Sequence, residues 1–183
     1  MTARRGARRA GVRRHPHAAA APRPVGCAVV TVSDTRGAGD DPSGDWIARR
    51  LARAGHVVVR RVWIRDEAPR IRRGVRVLLA RADVDAVLVT GGTGVAARDV
   101  TPEAVAPLVQ RWLPGFGELF RLLSHRQVGS AAWLSRAAAG VARGRLLVIL
   151  PGSPAAVRLA MDRLLIPELA HVARLLGRFR PGE

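Results

Sequence analysis

The sequence predicts an α/β fold: a single compact domain built on a mostly parallel β-sheet with helices on both faces. Apolar runs of strand length alternate with amphipathic segments of helix length, the pattern that parallel strands and their crossover helices produce. The runs end in clusters of Gly, Asp, Ser or Pro, where chain reversal is cheap. A chain of 183 residues fits one core and buries enough surface to stand without disulfides.

The first strand is residues 26–32, followed by a Gly- and Asp-rich turn over 34–41. Asp41 as N-cap and Pro42 at the first helical position open a helix that runs to about residue 54, where Gly55 stops it. The β-branched run 57–64 is the second strand. Pro69 opens a second helix with Ile71, Val75 and Leu78 on one face. Residues 84–90 form the third strand, which ends directly in Gly91-Gly92-Thr93-Gly94. Thr101-Pro102-Glu103 reads as an N-cap followed by proline at the start of the next helix. Residues 114–117 read as a breaker and 118–124 as a short helix. Residues 146–150 form the fourth strand, ending in Pro151-Gly152-Ser153-Pro154. A last helical region over 155–176 is split at Pro167.

The formal net charge is +17, with every basic residue an arginine. Seven of those arginines and no acidic residue fall within residues 1–24, which leaves 24 basic against 14 acidic residues in the remainder. The tail has almost no large apolar side chain, so it is expected to be disordered and dispensable. Without interleaved aromatic residues it is a poor single-strand reader, so nucleic acid is not the expected partner; a small polyanionic substrate suits the basic body. The domain is expected over residues 25–177, with 178–183 a C-terminal tail. The lone Cys27 lies in an apolar run and reads as core packing. No run of eighteen apolar residues occurs, so no membrane span is expected and the protein is read as cytoplasmic. His56, His125 and His171 lack metal-ligand spacing.

In open α/β sheets ligands bind beyond the carboxyl ends of the strands. Here those ends deliver Ser33-Asp34, then Asp66-Glu67, then Gly91-Gly92-Thr93-Gly94 with Arg98-Asp99 behind, then Pro151-Gly152-Ser153. The glycine cluster lets main-chain N–H groups approach a phosphate, yet it matches neither a P-loop nor the dinucleotide fingerprint. Asp66 and Asp99 have two open readings, as carboxylates that hold Mg²⁺ or as helix caps. Arg98 and Arg136 are candidates to clamp phosphate oxygens.

Taken in order, Thr90-Gly-Gly-Thr-Gly94, Arg98-Asp-Val-Thr-Pro-Glu103, Pro114-Gly-Phe-Gly-Glu118, Leu134-Ser-Arg-Ala137 and Leu150-Pro-Gly-Ser-Pro154 closely resemble the pattern of the MoaB/MogA family of molybdenum-cofactor biosynthesis proteins. Ser33-Asp-Thr35 and Asp41-Pro-Ser-Gly44 resemble its first strand end and helix entry. The likeness covers residues 25–177 and is closer to the MoaB branch. It implies a trimer or hexamer that binds molybdopterin and, in catalytic members, transfers AMP from Mg²⁺-ATP to the terminal phosphate of molybdopterin, releasing pyrophosphate. By position, Asp66 and Asp99 match the family's acidic residues and would hold Mg²⁺. Thr90, Gly91, Gly92, Thr93 and Gly94 would wrap phosphate, and Ser33 and Asp34 would line the same edge. Gly115, Phe116, Gly117 and Glu118, with Ser135, Arg136, Pro151, Gly152 and Ser153, would complete the substrate site. The implied partners are ATP, molybdopterin, further copies of the chain and other proteins of that pathway. The alternative role is a non-catalytic molybdopterin-binding or assembly protein. Arg65 stands where many relatives have proline.

Overall fold

The computed structural model describes residues 23–178, so the expectations for residues 1–22 and 179–183 lie outside the described residues. In chain order, β1 (Gly26–Val32), α1 (Pro42–Arg53), β2 (Val57–Ile64), α2 (Ala68–Leu79) and β3 (Ala86–Thr90) make the first half. The short α3 (Thr101–Val105) and β4 (Arg111–Trp112) lead into α4 (Pro114–Val128), β5 (Ala138–Ala142) and β6 (Arg145–Leu150). Two last helices, α5 (Pro154–Ala160) and α6 (Ile166–Leu175), close the chain.

The sheet order is β2-β1-β3-β6-β5-β4. β2, β1, β3 and β6 are parallel, and β5 and β4 add an antiparallel edge. Alternation along the central strands sorts side chains onto two cores. Cys27, Val29, Leu88 and Val148 face one side, where Ile47 and Leu51 of α1, Val157 of α5 and Leu169 of α6 cover them. Ala28, Val30, Val87 and Ile149 face the other, against Ile71 and Val75 of α2 and Val105 of α3. Helices therefore cover both faces, as a largely parallel sheet requires. Cys27 is fully buried, and burial with the nearby Asp85 charge pushes its thiol up to about 12, an inert packing residue. No helix among the described residues is long and apolar enough to cross a membrane.

Several elements differ from the sequence expectation. The breaker over 114–117 is instead the first turn of α4: Pro114 occupies the first helical position, where its missing N–H costs nothing. Gly117 belongs there because a side chain would press on the Ala137 carbonyl at 2.8 Å. β4 and β5 escape the sequence reading because one is two residues long and the other, Ala-Ala-Gly-Val-Ala, lacks the β-branched signal; it is a strand because β6 pairs with it. The third strand starts at Ala86 rather than residue 84. The last helical region breaks at a π turn, Met161–Leu165, and Pro167 sits harmlessly in the first turn of α6. Arg178, read as tail, donates to Asp85 at 2.7 Å and so is tied to the foot of the sheet.

Asp41 does more than cap α1. Its buried carboxylate accepts from Gly44 N–H at 2.8 Å, Thr31 Oγ1 at 2.6 Å, Trp63 Nε1 at 3.0 Å and Arg61 at 3.2 Å, joining β1, α1 and β2. Burial alone pushes this carboxyl up, but the donors Thr31, Gly44, Trp63 and Arg61 outweigh it and hold the group below the ordinary carboxylate range. Asp41→Ala should cost about 3 kcal/mol at pH 7, since it strands several buried donors. A lowered folded-state pKa contributes stability above the unfolded value that is lost as pH falls. In urea melts the gap between parent and variant should narrow below about pH 4.

Candidate functional site

The chain leaves β1 for β2 on one side and later returns to β3 on the other, so strand order reverses between β1 and β3. A crevice opens at such a switch point, beyond the carboxyl ends of the strands. A cleft of about 480 Å³ lies there. Its walls are Thr31, Ser33, Thr35 and Arg36 from the end of β1, Thr90, Gly91 and Gly92 from β3, and Gly152, Ser153 and Pro154 from β6. Another concavity, over Ala48, Ala52 and Val58, lies on the flank of β2, and no motif reaches it.

The strand ends are bonded to one another. Thr90 Oγ1 donates to the Pro151 carbonyl at 2.7 Å and Gly91 N–H to the Leu150 carbonyl at 3.2 Å. Ser43 Oγ donates to the Gly152 carbonyl at 2.9 Å, and Arg36 reaches the same oxygen at 3.4 Å. Ser33 Oγ accepts from the N–H groups of Thr35 and Arg36, which sets the turn after β1. Gly91 and Gly92 have φ of +103° and +61°, the left-handed region, and this turns the backbone toward the cleft.

Asp34, Asp66 and Asp99 are not in the cleft lining: Asp34 follows Ser33, Asp66 lies against Gly92 and Asp99 against Gly94. Asp34 accepts from Asp66 N–H at 3.1 Å and pairs with Arg98. Asp99 accepts from Ala96 N–H at 3.0 Å, folding its own loop back. Neither Asp66 nor Asp99 caps a helix: the N-caps of α2 and α3 are Glu67 and Val100, each without a side-chain bond. The capping reading is therefore overturned for both aspartates, and Thr101, expected as an N-cap, is the first residue of α3.

Asp66 Oδ1 and Thr101 Oγ1 are buried without a hydrogen-bond partner. Burial raises the Asp66 carboxyl above its usual range and the Asp99 charge adds to this, against a single opposing bond from the Val100 N–H. Both unpaired oxygens crowd the same face of Gly92: a Cβ there would collide with Thr101 Oγ1 and lie 2.9 and 3.0 Å from the Asp66 oxygens. Among the described residues no three His, Cys, Asp or Glu side chains converge. Two carboxylates suffice for Mg²⁺, which keeps waters and takes substrate oxygens. The residues present fit such an ion.

Of the expected site residues, Ser33, Thr90, Gly91, Gly92, Gly152 and Ser153 line the cleft. Ser153 also N-caps α5. Thr93 and Gly94 are gripped by Arg136, whose N–H donates to the Thr93 carbonyl and whose Nε donates to Gly94 at 2.9 Å. The remaining Arg136 nitrogens bond Glu103 and the Asp99 carbonyl, so this arginine acts on the site through the loop. Arg121 bonds the carbonyls of Ser135 and Ala137. Gly115, Phe116, Gly117 and Glu118 form the first turn of α4; Phe116 packs against the core, and none of the four lines the cleft. The sequence reading missed Thr31, Thr35, Arg36, Ser43 and Thr101. Thr35 and Ser43 stood inside quoted motifs, whereas the contact of Arg36 with Gly152 spans 116 positions and leaves no local signal.

The raised Asp66 carboxyl has a consequence for stability. Its protonated form favours the fold below the ordinary carboxyl range, and that contribution is lost as pH rises through the raised value. Asp66→Asn should therefore raise the melting temperature of the metal-free protein at pH 7, with a gap that opens as pH rises above the ordinary carboxyl range of about 4. Thermal melts in EDTA measure it; a lower melting temperature for the variant counts against the assignment.

Comparison with known proteins gives the family and the fold. Residues 28–171 match the family described as "Probable molybdopterin binding domain". The chain is 48% identical over 159 residues to molybdenum cofactor biosynthesis protein B of Halalkalibacterium halodurans, covering 86% of this chain and 94% of that protein. A crystal structure of a molybdenum cofactor biosynthesis protein B superposes with a TM-score of 0.84 at 43% identity, over 87% of this chain and all of the other. The molybdopterin biosynthesis enzyme MoaB of Thermus thermophilus superposes with a TM-score of 0.75 at 36% identity, over 83% of this chain and 96% of that one. With the motifs in order, the strand ends joined at one cleft and this similarity over most of its length, the chain belongs to the MoaB/MogA family of molybdenum-cofactor biosynthesis proteins.

Proposed function

We propose that this protein binds molybdopterin and Mg²⁺-ATP at the β1–β3 cleft and adenylylates the terminal phosphate of molybdopterin, releasing pyrophosphate. The carrying observation is the half-buried Asp66 carboxylate, whose Oδ1 is buried and unpartnered, with the Asp99 charge beside it at the foot of a glycine loop. Two like charges in such a place call for a cation. In the reaction a phosphate oxygen of molybdopterin attacks the α-phosphorus of ATP, and the bond from that phosphorus to the pyrophosphate oxygen breaks. Mg²⁺, when bound, supplies neutralisation of the triphosphate charge. Asp66 and Asp99 would hold it. The Gly92 N–H and the hydroxyls of Ser33 and Thr35 would position phosphate oxygens, and Arg36 supplies a positive charge on the cleft wall. No covalent nucleophile is needed, because such transfer is chiefly positioning and charge stabilisation.

Asp→Asn at 66 or 99 keeps the size and removes the charge. AMP transfer should fall by at least about a hundredfold in each variant, on the scale of losing one electrostatic contact to the reacting group, while molybdopterin affinity and folding persist. Near-parental transfer in both variants refutes the metal role. No transfer by a parent that still binds molybdopterin points to the alternative, a non-catalytic binding or assembly protein of the same pathway.

Self-association belongs to the same reading. Trp112, Leu119, Leu122, Val128 and Trp133 are exposed along β4, α4 and the turn after it, Trp133 at 73%. An apolar stretch of that kind marks an interface. Phe120, on the same helix, is buried in the core. We expect a trimer or a dimer of trimers. Light scattering at micromolar concentration should give three or six chain masses, and a single mass overturns this.

A further inference from the structure

Thr101 has no task in the reading above. It is fully buried, its N–H donates to the Gly92 carbonyl at 3.0 Å, and its hydroxyl has no partner. A threonine at a helix start normally spends its hydroxyl on a backbone N–H. Here the neighbouring Asp66 Oδ1 is also unpaired, and both oxygens press on the one face of Gly92 that lacks a side chain. Buried oxygens without partners are rare, and two converging on one spot mark a place where a bound group supplies the missing contacts.

We propose that the Thr101 hydroxyl is a direct ligand of the divalent cation, paired with Asp66 Oδ1 beneath the Gly91–Gly94 loop. The inference rests on the Mg²⁺-nucleotide reading and deepens it. The donor chemistry is that of a hard cation: a carboxylate and a hydroxyl, with the second carboxylate of Asp99 against Gly94. A water would satisfy the hydroxyl but leave the charges of Asp66 and Asp99 opposed. A hydroxyl and an aspartate that share Mg²⁺ with substrate phosphates is also the solution used in P-loop enzymes. Gly92 is then a glycine because any side chain would fill the seat.

The test is Mn²⁺ binding followed by electron paramagnetic resonance on the full-length protein, with and without ATP. Thr101→Val keeps the shape and removes the oxygen, and Thr101→Ser keeps the oxygen. Thr101→Val should weaken Mn²⁺ binding about tenfold or more, on the scale seen when a metal site loses a supporting contact. Thr101→Ser should restore it, and the melting temperature in EDTA should not fall in either variant. Should Thr101→Val fold poorly, Thr101→Ala takes its place. Parental Mn²⁺ binding by Thr101→Val, with binding lost in Asp66→Asn, overturns the Thr101 assignment and leaves the metal reading standing. Equal weakening by Val and Ser also overturns it, since the hydroxyl then does not matter. A parent that binds no Mn²⁺ even with ATP overturns both. Thr101-dependent Mn²⁺ binding without AMP transfer sustains this inference and removes only the adenylylation.

Discussion

Two parallel strands cannot be joined by a hairpin, so the chain must carry each crossover from one end of the sheet back to the other. That constraint places the site. β1 has a parallel neighbour on each side, and β6 runs parallel to β3. The segments that leave β1, β2, β3 and β6 therefore all start at one edge, and residues distant in sequence meet there. The antiparallel β5 contributes in the opposite sense. Ala138, its first residue, lies opposite Ile149 near the end of β6, so the residues before β5 arrive at the edge that the parallel strands leave. Arg136 thus comes within reach of the Gly91–Gly94 loop and holds it from outside.

The parts of this arrangement legible in the sequence are those written in short-range chemistry. β1, β2 and α1 are marked by β-branched runs, by the Asp41-Pro42 cap and by the stop at Gly55, and each lies where those signals put it. Ser33, Thr90, Gly91, Gly92, Gly152 and Ser153 in the cleft follow from the same reasoning, because sheet topology decides which loops share an edge. What stayed hidden depends on partners. β5 is poor in strand formers and exists because β6 pairs with it. The first turn of α4 contains two glycines and a proline, a composition that signals a loop, yet close packing of Gly117 on Ala137 makes it helical. Thr101 carried a strong capping signature, but its hydroxyl is turned to Gly92 and Asp66, where a local pattern has no means to point.

Asp41 and Asp66 show how one residue type is given opposite tasks by its surroundings. Each is a carboxylate near a strand end, and burial opposes ionisation in each. Asp41 meets several donors from three elements, which stabilise its charge and make it a structural tie. Asp66 meets one backbone donor, a neighbouring negative charge and an oxygen with nothing to accept. For folding alone the second arrangement is a loss, since a neutral side chain of the same shape would avoid both desolvation and repulsion. The fold tolerates it because the Asp41 network and two covered sheet faces supply stability elsewhere, and local departures from the best-folding choice concentrate where a site must stay ready for a ligand. Satisfying Asp66 from within the protein would require a donor where Gly92 has no side chain, and that donor would occupy the space a cation needs. The unpaired oxygens of Asp66 and Thr101 and the bare face of Gly92 are thus one feature: the sheet brings them together, and the protein leaves their remaining contacts to the molecule it binds.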